Sequence, residues 1–256
     1  MIKLSVIIPV FNEELQLNGK MNLLKEWKNE FSDDLEIIIM DSNSTDNSET
    51  YFAQLRSEKI AEVLFLSVKD PLKKSIGTAL SEACLASKAN LIVILPIDIL
   101  ITSIHIKKLL ELKPSEKIWG CFTKSYDSDS PMMKIYAYLQ NQFLTILLQQ
   151  GVWTNVFFFS KELSTKIPTD GFLEDVLFCD RLKQVSVGHI IDTKVVVSAR
   201  KYMKDGHSRR IASNGIIILL YRCGYKNISV LKEFYVGRIS FIQLIKQLVY
   251  LLVNLR

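Results

Sequence analysis

Residues 37–48 read Ile37-Ile38-Ile39-Met40-Asp41-Ser42-Asn43-Ser44-Thr45-Asp46-Asn47-Ser48, and this stretch decides the fold class. Four large apolar residues in a row are typical of a strand that is buried on both faces, as in a parallel sheet covered by helices. The run stops at Asp41, and the Asn, Ser and Thr residues that follow favour a turn and a helix start. A carboxylate at the carboxyl end of such a strand lies where open α/β sheets bind ligands. Taken alone, Asp41 is explained equally well as a turn or capping residue.

Outward from this stretch, the first hundred residues alternate between two patterns. Short, uniformly apolar runs predict strands at residues 4–10, 35–40, 63–66 and 91–95. Segments with helical periodicity lie between them, at residues 15–31, 48–59 and 75–87. This order predicts an α/β fold with a mainly parallel, doubly wound sheet and helices on both faces.

Composition limits the function classes. A chain of 256 residues that is 48% hydrophobic can bury one large core, with or without an appendage. The net charge of +5 is too small to indicate a nucleic-acid partner, although it is compatible with anionic substrates. The cysteines are widely spaced and form no CxxC pair, which is typical of a cytoplasmic protein with reduced thiols. The short apolar run at the N-terminus lacks the features of a secretory signal.

A second carboxylate follows the fourth predicted strand, in Leu95-Pro96-Ile97-Asp98. Because parallel strands end at the same edge of a sheet, Asp98 is expected near Asp41, where the two acids can share one ligand. A divalent cation that carries a phosphate is the natural candidate. The chain has neither the GxGxxG of dinucleotide-binding proteins nor the GxxxxGK[ST] of P-loop proteins.

Two stretches of the N-terminal half carry a specific resemblance. Val6-Ile7-Ile8-Pro9-Val10-Phe11-Asn12-Glu13-Glu14 and Met40-Asp41-Ser42-Asn43-Ser44-Thr45-Asp46 resemble the donor-binding half of family 2 inverting glycosyltransferases, which have the GT-A fold. The resemblance implies a nucleotide site whose residues are Pro9, Phe11, Glu13, Asp41, Lys74 and Asp98. In this assignment Asp41 accepts a hydrogen bond from the base, and Lys74 approaches the base or a phosphate.

The resemblance also implies a metal site, with one departure from the family pattern. Asp98 matches the last acid of the DxD motif, but the first acid is replaced by Pro96. A bound Mg²⁺ or Mn²⁺ would therefore depend on Asp98, the diphosphate and water, an arrangement that Mg²⁺ tolerates. Asp127-Ser128-Asp129 has the DxD spelling, but its Ser/Asp/Pro surroundings indicate a solvated loop.

The acidic pair Glu174-Asp175 supplies the expected chemistry. Acids in a first helical turn are stabilised by the helix dipole, so an ordinary helix start also explains the pair. By resemblance, Asp175 is the general base that takes the proton of the acceptor hydroxyl, and Glu174 positions the base or the acceptor.

A basic element near the C-terminus is similar to that of a bacterial subgroup with a Ser-Ala-Arg-Arg-Trp-like sequence. Here the element reads Ser198-Ala199-Arg200-Lys201-Tyr202. Arg200 and Lys201 would face the diphosphate, and His207 would be a further phosphate contact or a loop histidine without a role. The segment at 153–159 has diverged from the Gly-Asp-Gln-like element that relatives carry there, which indicates a different sugar or acceptor.

These assignments predict one GT-A domain over residues 1–235, with a nucleotide-binding half at 1–100 and an acceptor and catalytic half at 101–235. An apolar, amphipathic helix is expected over 236–256. It would pack on the domain or on a second copy, lie on the inner membrane surface as in a peripheral protein, or span the membrane.

The leading hypothesis is a metal-assisted, inverting glycosyltransferase that uses a UDP- or GDP-linked sugar and a lipid-linked or glycan acceptor. A GT-A relative without catalytic activity, which binds a nucleotide or a protein partner, is the alternative, and Pro96 is its main support. A nucleotidyltransferase would require a Gly-rich basic loop after the first strand, which the sequence lacks.

Overall fold

The computed structural model describes residues 2–68, 75–112, 117–169, 171–205, 207–225 and 227–246. The chain divides into two compact units, Met1–Ser198 and Ala199–Arg256. The functional division into 1–235 and 236–256 stays a prediction.

The described part of the first unit contains one mixed sheet. Its strands are β1 (Leu4–Val10), β2 (Leu35–Asp41), β3 (Glu62–Phe65), β4 (Leu91–Ile94), β5 (Ile99–Leu100), β6 (Trp119–Tyr126), β7 (Phe157–Ser160) and β8 (His189–Val197). Its α-helices are α1 (Glu14–Phe31), α2 (Ser48–Ser57), α3 (Ile76–Ala86), α4 (Ser103–Leu110), α5 (Pro131–Leu139) and α6 (Glu174–Lys183). A π-helix, Gln140–Leu147, continues α5.

The strand order is β3-β2-β1-β4-β7-β6-β8-β5. Parallel pairs join β3, β2, β1 and β4, which confirms the predicted parallel sheet in the first hundred residues. In the second half, β7 is antiparallel to both β4 and β6, β6 is parallel to β8, and β5 is antiparallel to β8. The α/β fold class predicted from the sequence is thus confirmed.

Each face of the sheet buries its own apolar layer, which explains why the strands are continuously apolar. Alternate residues of β1 point to opposite faces, so that Val6 joins a cluster with Leu17 of α1, while Ile7 joins a cluster with Ala83 of α3. A strand covered on both sides has no face that favours polar residues, which is the physical basis of the Ile37–Met40 run.

The second unit is helical where it is described. It contains α7 (Arg200–Asp205), α8 (His207–Arg222) and α9 (Ile228–Tyr235). Asn227 caps α9 by accepting the backbone N–H of Val230 at 3.2 Å. The helical C-terminal region predicted from the sequence is present.

A buried polar pair ties the amino end of the sheet together. The Ser5 hydroxyl donates to Glu36 at 2.6 Å and accepts the backbone N–H of Ala89 at 3.2 Å. The Glu36 carboxylate, 6% exposed, also accepts the backbone N–H of Lys88. Burial acts to raise the pKa of Glu36, but these hydrogen bonds outweigh it and lower the pKa. Three segments are therefore joined through one hydroxyl.

Replacement of Ser5 tests this junction. Ser5→Ala leaves the Ala89 N–H without its partner and removes one of the two hydrogen bonds to the same Glu36 oxygen, so it is expected to lower the free energy of unfolding by about 1–3 kcal/mol. Ser57→Ala, at an exposed position of α2, is the matched control and should change it by less than about 0.5 kcal/mol. Urea denaturation followed by circular dichroism measures both. Equal effects of the two variants would contradict the proposed junction.

Candidate active site

The loops that follow β1 and β2 are held together by side chain to backbone hydrogen bonds. The Asn12 N–H donates to the Ser44 hydroxyl at 2.9 Å, and the Thr45 N–H donates to the Asn12 side chain at 2.7 Å. One turn further on, the Glu14 N–H donates to Asp46 at 3.0 Å. These hydrogen bonds therefore join the two loops at this edge of the sheet.

Asp41 lies at the base of these loops. It is 2% exposed, and its carboxylate accepts the Ser44 N–H at 3.0 Å and the Ser44 hydroxyl at 2.5 Å. These contacts make it a turn-forming residue, which is the simpler of the two interpretations of the sequence. Its contact with a nucleotide base stays a prediction.

The other predicted nucleoside residues lie at the same edge. Pro9 pairs with Met40 and Val10 pairs with Asp41, so the two strands end together. Phe11 follows directly and is 58% exposed. Glu13, which is partly buried, precedes α1. The structure thus brings Pro9, Phe11, Glu13 and Asp41 to one place, where a nucleoside contact stays a prediction.

Asp98 lies between β4 and β5 and is partly exposed. The ammonium of Lys20, on α1, lies nearby and donates to the Ile99 carbonyl at 2.5 Å. Burial lowers the pKa of Lys20 to about 8, and the negative charge of Asp98 opposes that shift. Asp98 therefore interacts electrostatically with a buried lysine.

The donor set for a cation is small. Within the described ranges, no three or more His, Cys, Asp or Glu side chains cluster as metal ligands. Asp98 offers one hard carboxylate, which suits a cation whose remaining ligands are phosphate oxygens and water. Asp129 is fully exposed and pairs with Lys134 at 3.5 Å, as expected for a solvated loop.

Glu174 joins α6 to α3. Its carboxylate is 4% exposed, and it accepts the Gly77 N–H and the Gly171 N–H at 2.9 Å each. Gly77 lies in the first turn of α3, where backbone N–H groups lack helical partners. Both oxygens of Glu174 are thereby engaged with the backbone.

Asp175, the next residue, is only partly buried. Its two oxygens accept the Val176 N–H at 2.9 Å and the Trp153 N–H at 3.3 Å. Burial raises the pKa of Asp175, although these hydrogen bonds and the charge of Lys124 act in the opposite direction. The carboxylate is thus oriented by the backbone and has a raised pKa, and the residue that carries it is only partly buried.

Lys124, on β6, is a residue that our sequence analysis did not single out. It is 2% exposed, and its ammonium donates to Thr154 at 2.9 Å and to Asn155 at 3.4 Å. Burial lowers its pKa to about 8. The sequence signal that could have identified this residue is a charged side chain that closely follows the apolar residues at 119–122.

The diverged segment forms a 3₁₀ turn, Trp153–Asn155, beside Asp175. Val156 ends this turn with φ of 54°, and Leu173 precedes α6 with φ of 53°. Left-handed backbone is costly for such side chains, particularly for a β-branched one. Strained positions therefore occur in two of the segments that supply backbone N–H groups to the acidic pair.

The remaining predicted residues belong to other parts of the chain. Lys74 lies outside the described residues. Arg200 and Lys201 begin α7, and His207 begins α8, all in the second unit; the side chains of Lys201 and His207 are outside the described part. Their roles at the diphosphate stay predictions. Within the described residues, no helix combines the length and the apolar character needed to span a membrane.

The close contact at Gly77 leads to a stability test. A Cβ at this position would lie 1.8 Å from the Pro168 carbonyl oxygen, so Gly77→Ala is expected to lower the free energy of unfolding by about 1–3 kcal/mol. Gly19→Ala, in α1 with open space around it, should raise it by up to about 1 kcal/mol. Thermal and urea unfolding distinguish the two signs. A Gly77→Ala protein as stable as the parent would contradict the close packing of α3 against the segment before α6.

Comparison with known proteins gives the family. The glycosyl transferase family 2 profile matches residues 5–168, more than half of the chain. No curated protein matches the sequence. Solved structures of glucosyl-3-phosphoglycerate synthase from Mycobacterium tuberculosis share the fold of this chain. Their sequence identity to it is low, so the similarity is evidence for the fold alone. The complex with Mn²⁺, UDP and glucosyl-3-phosphoglycerate is 19% identical over 88% of this chain and 81% of that chain, with a TM-score of 0.58.

Two more structures of that enzyme agree. Its complex with Mn²⁺, UDP-glucose and phosphoglyceric acid is 20% identical over 88% of this chain and 81% of that chain, with a TM-score of 0.59. A further structure of that enzyme is 19% identical over 88% of this chain and 82% of that chain, with a TM-score of 0.60. Membership of the bacterial subgroup with the Ser-Ala-Arg-Arg-Trp-like element stays a prediction. The chain belongs to glycosyl transferase family 2 and is a glycosyltransferase with the GT-A fold.

Proposed function

We propose that this glycosyltransferase moves a sugar from a nucleotide-diphosphate sugar to an acceptor hydroxyl with inversion, and that Asp175 is the general base. The observation that carries this proposal is the different burial of two adjacent acidic residues. Each carboxylate accepts two backbone N–H groups, but Glu174 is 4% exposed, whereas Asp175 is only partly buried. We therefore assign the proton transfer to Asp175.

The step is a single displacement. The acceptor oxygen attacks the anomeric carbon while Asp175 takes the proton of the hydroxyl, and the bond from that carbon to the diphosphate oxygen breaks. The electron pair of the broken bond leaves with the nucleoside diphosphate. The raised pKa of Asp175 suits this role, because a stronger base accepts the proton more readily.

The leaving diphosphate needs its growing negative charge offset. A divalent cation, when bound, supplies that charge as a Lewis acid, and Asp98 is the described residue that would hold it. We further assign Arg200 and Lys201, with His207 as an additional contact, to the diphosphate on the basis of the sequence resemblance. Glu174 acts by positioning: it ties the first turn of α6 to α3.

A nucleotide sugar as donor is supported by the structural relatives. The mycobacterial enzyme of the same fold was crystallised with UDP, with UDP-glucose and with Mn²⁺. For this chain we propose a UDP- or GDP-linked sugar and Mg²⁺ or Mn²⁺. The Trp153–Asn155 turn lies against Asp175, where the acceptor must approach, so we assign acceptor choice to this segment.

Pro96 favours one alternative, a GT-A relative that binds a nucleotide but does not turn it over. A proline provides neither a ligand nor a charge at the position of the first DxD acid. Thermal shift and turnover separate the two functions, because both predict stabilisation by a nucleotide but only the enzyme releases nucleoside diphosphate.

Turnover is expected with at least one member of a panel of UDP- and GDP-sugars in the presence of Mn²⁺ or Mg²⁺. Asp175→Asn removes the base and should lower kcat by about 10²–10⁴-fold while the nucleotide-induced thermal shift persists. Asp180→Asn, in the same helix, is the matched control and should retain activity. Nucleotide binding without turnover across the panel would favour the alternative.

The pH dependence follows from the raised pKa of Asp175. The base works only when ionised, so kcat/KM should fall as the pH decreases through this pKa, and the acid limb should lie above the ordinary value of 3.8. A pH profile of kcat/KM from pH 4 to 9 measures the limb. Activity that stays constant down to pH 4 would contradict the assignment of Asp175.

A further inference from the structure

We propose that Lys124 is a positioning residue for the sugar transfer proposed above: its ammonium is the counter-charge that keeps Asp175 ionised, and it anchors the turn that orients the Asp175 carboxylate. The inference rests on the proposed function for its catalytic meaning. The charge pair itself can be tested without turnover.

The contacts connect Lys124 to Asp175 through one short turn. The Lys124 ammonium donates to the side chains of Thr154 and Asn155, at 2.9 and 3.4 Å. The preceding residue, Trp153, donates its backbone N–H to the Asp175 carboxylate at 3.3 Å. One cation therefore fixes the segment that supplies a hydrogen bond to the base.

The position of Lys124 is set by its own backbone. The side chain of Asn141, 5% exposed in the π-helix, accepts the Lys124 N–H at 3.0 Å and donates to its carbonyl at 2.8 Å. The pairing of β6 with β8 shifts register between Phe122 and Lys124. The Asn141 side chain thus supplies the hydrogen bonds to the β6 backbone at the point where the strand pairing shifts.

The Lys124 ammonium and the Asp175 carboxylate both contact the Trp153–Asn155 turn, which makes Asp175 the acid that Lys124 faces through this turn. Burial raises the pKa of the Cys121 thiol to about 12, so Cys121 is uncharged at neutral pH. The Cys179 thiol donates to the Gln149 carbonyl, and Glu174 is engaged with Gly77 and Gly171. The charge of Asp175 opposes the desolvation of Lys124, and the charge of Lys124 opposes that of Asp175.

A buried lysine is costly unless it is compensated, since desolvation disfavours its charged form. A methionine of similar length would fill the same space without that cost. An ammonium that acts on the base explains why this cost is accepted. Without the positive charge, the hydrogen bonds from Trp153 and Val176 still oppose desolvation but with less help, and Asp175 holds its proton to a higher pH.

The first experiment compares Lys124→Met with Lys124→Arg in pH profiles of kcat/KM. Lys124→Met should move the acid limb to higher pH, and Lys124→Arg should keep it near the parent value. Lys108→Met is the matched control, because Lys108 also donates to a threonine, Thr193, at 2.6 Å. Its limb should not move. An unshifted limb in Lys124→Met would overturn the proposal.

A double-variant cycle tests the pair by stability alone. Lys124→Met and Asp175→Asn each leave one partner without its counter-charge, so the double variant should unfold at a higher temperature than the two separate losses predict. If Lys124→Met does not fold alone, recovery of folding in the double variant supports the pair. Additive losses, or failure of the double variant to fold, overturn it. A parent protein without turnover would refute the proposed function, and the cycle would still decide the pair.

Discussion

The carboxylate of Glu174 is the constraint on which the geometry of the candidate site depends. It accepts two backbone N–H groups, one from α3 and one from the segment before α6, at 2.9 Å each. Hydrogen bonds to an ionised carboxylate are about twice as strong as neutral ones. The neighbouring Asp175 also accepts two backbone N–H groups but is only partly buried, and it is the acid to which we assign the proton transfer.

Buried lysines accompany the two acids that matter most for the proposed chemistry. The negative charge of Asp98 acts to raise the pKa of Lys20, and the negative charge of Asp175 acts to raise the pKa of Lys124. In both lysines burial lowers the pKa to about 8, so both ammonium groups carry their charge at a real desolvation cost. In each case a positive charge built into the protein lies in the surroundings of an acid. The positive charges that act on these two acids therefore come from buried lysines and not from lysines at the surface.

Irregular backbone occurs around Asp175 and Lys124. Val156 and Leu173 adopt left-handed conformations, β6 changes register after Phe122, and the π-helix presents Asn141 to Lys124. π-helical turns are rare in proteins, and those that occur are often found at functional sites. Each irregularity costs free energy that the close-packed layers on the two faces of the sheet must offset. The regular, parallel part of the sheet carries the predicted nucleotide residues, and the irregular part carries Asp175 and Lys124 or their contacts.

The sequence by itself determined the α/β class, the parallel first half and the family, because buried strands must be apolar on both faces and because the motifs at 6–14 and 40–46 are local. It also placed Pro9, Asp41 and Asp98 at one edge, since parallel strands end together. Only the tertiary structure revealed the contacts of Glu174 and Lys124. The partner of Glu174 lies 97 residues away at Gly77, and the pairing of β6 with β8 changes register between Phe122 and Lys124. Long-range hydrogen bonds and an irregular strand leave no periodic trace in a sequence.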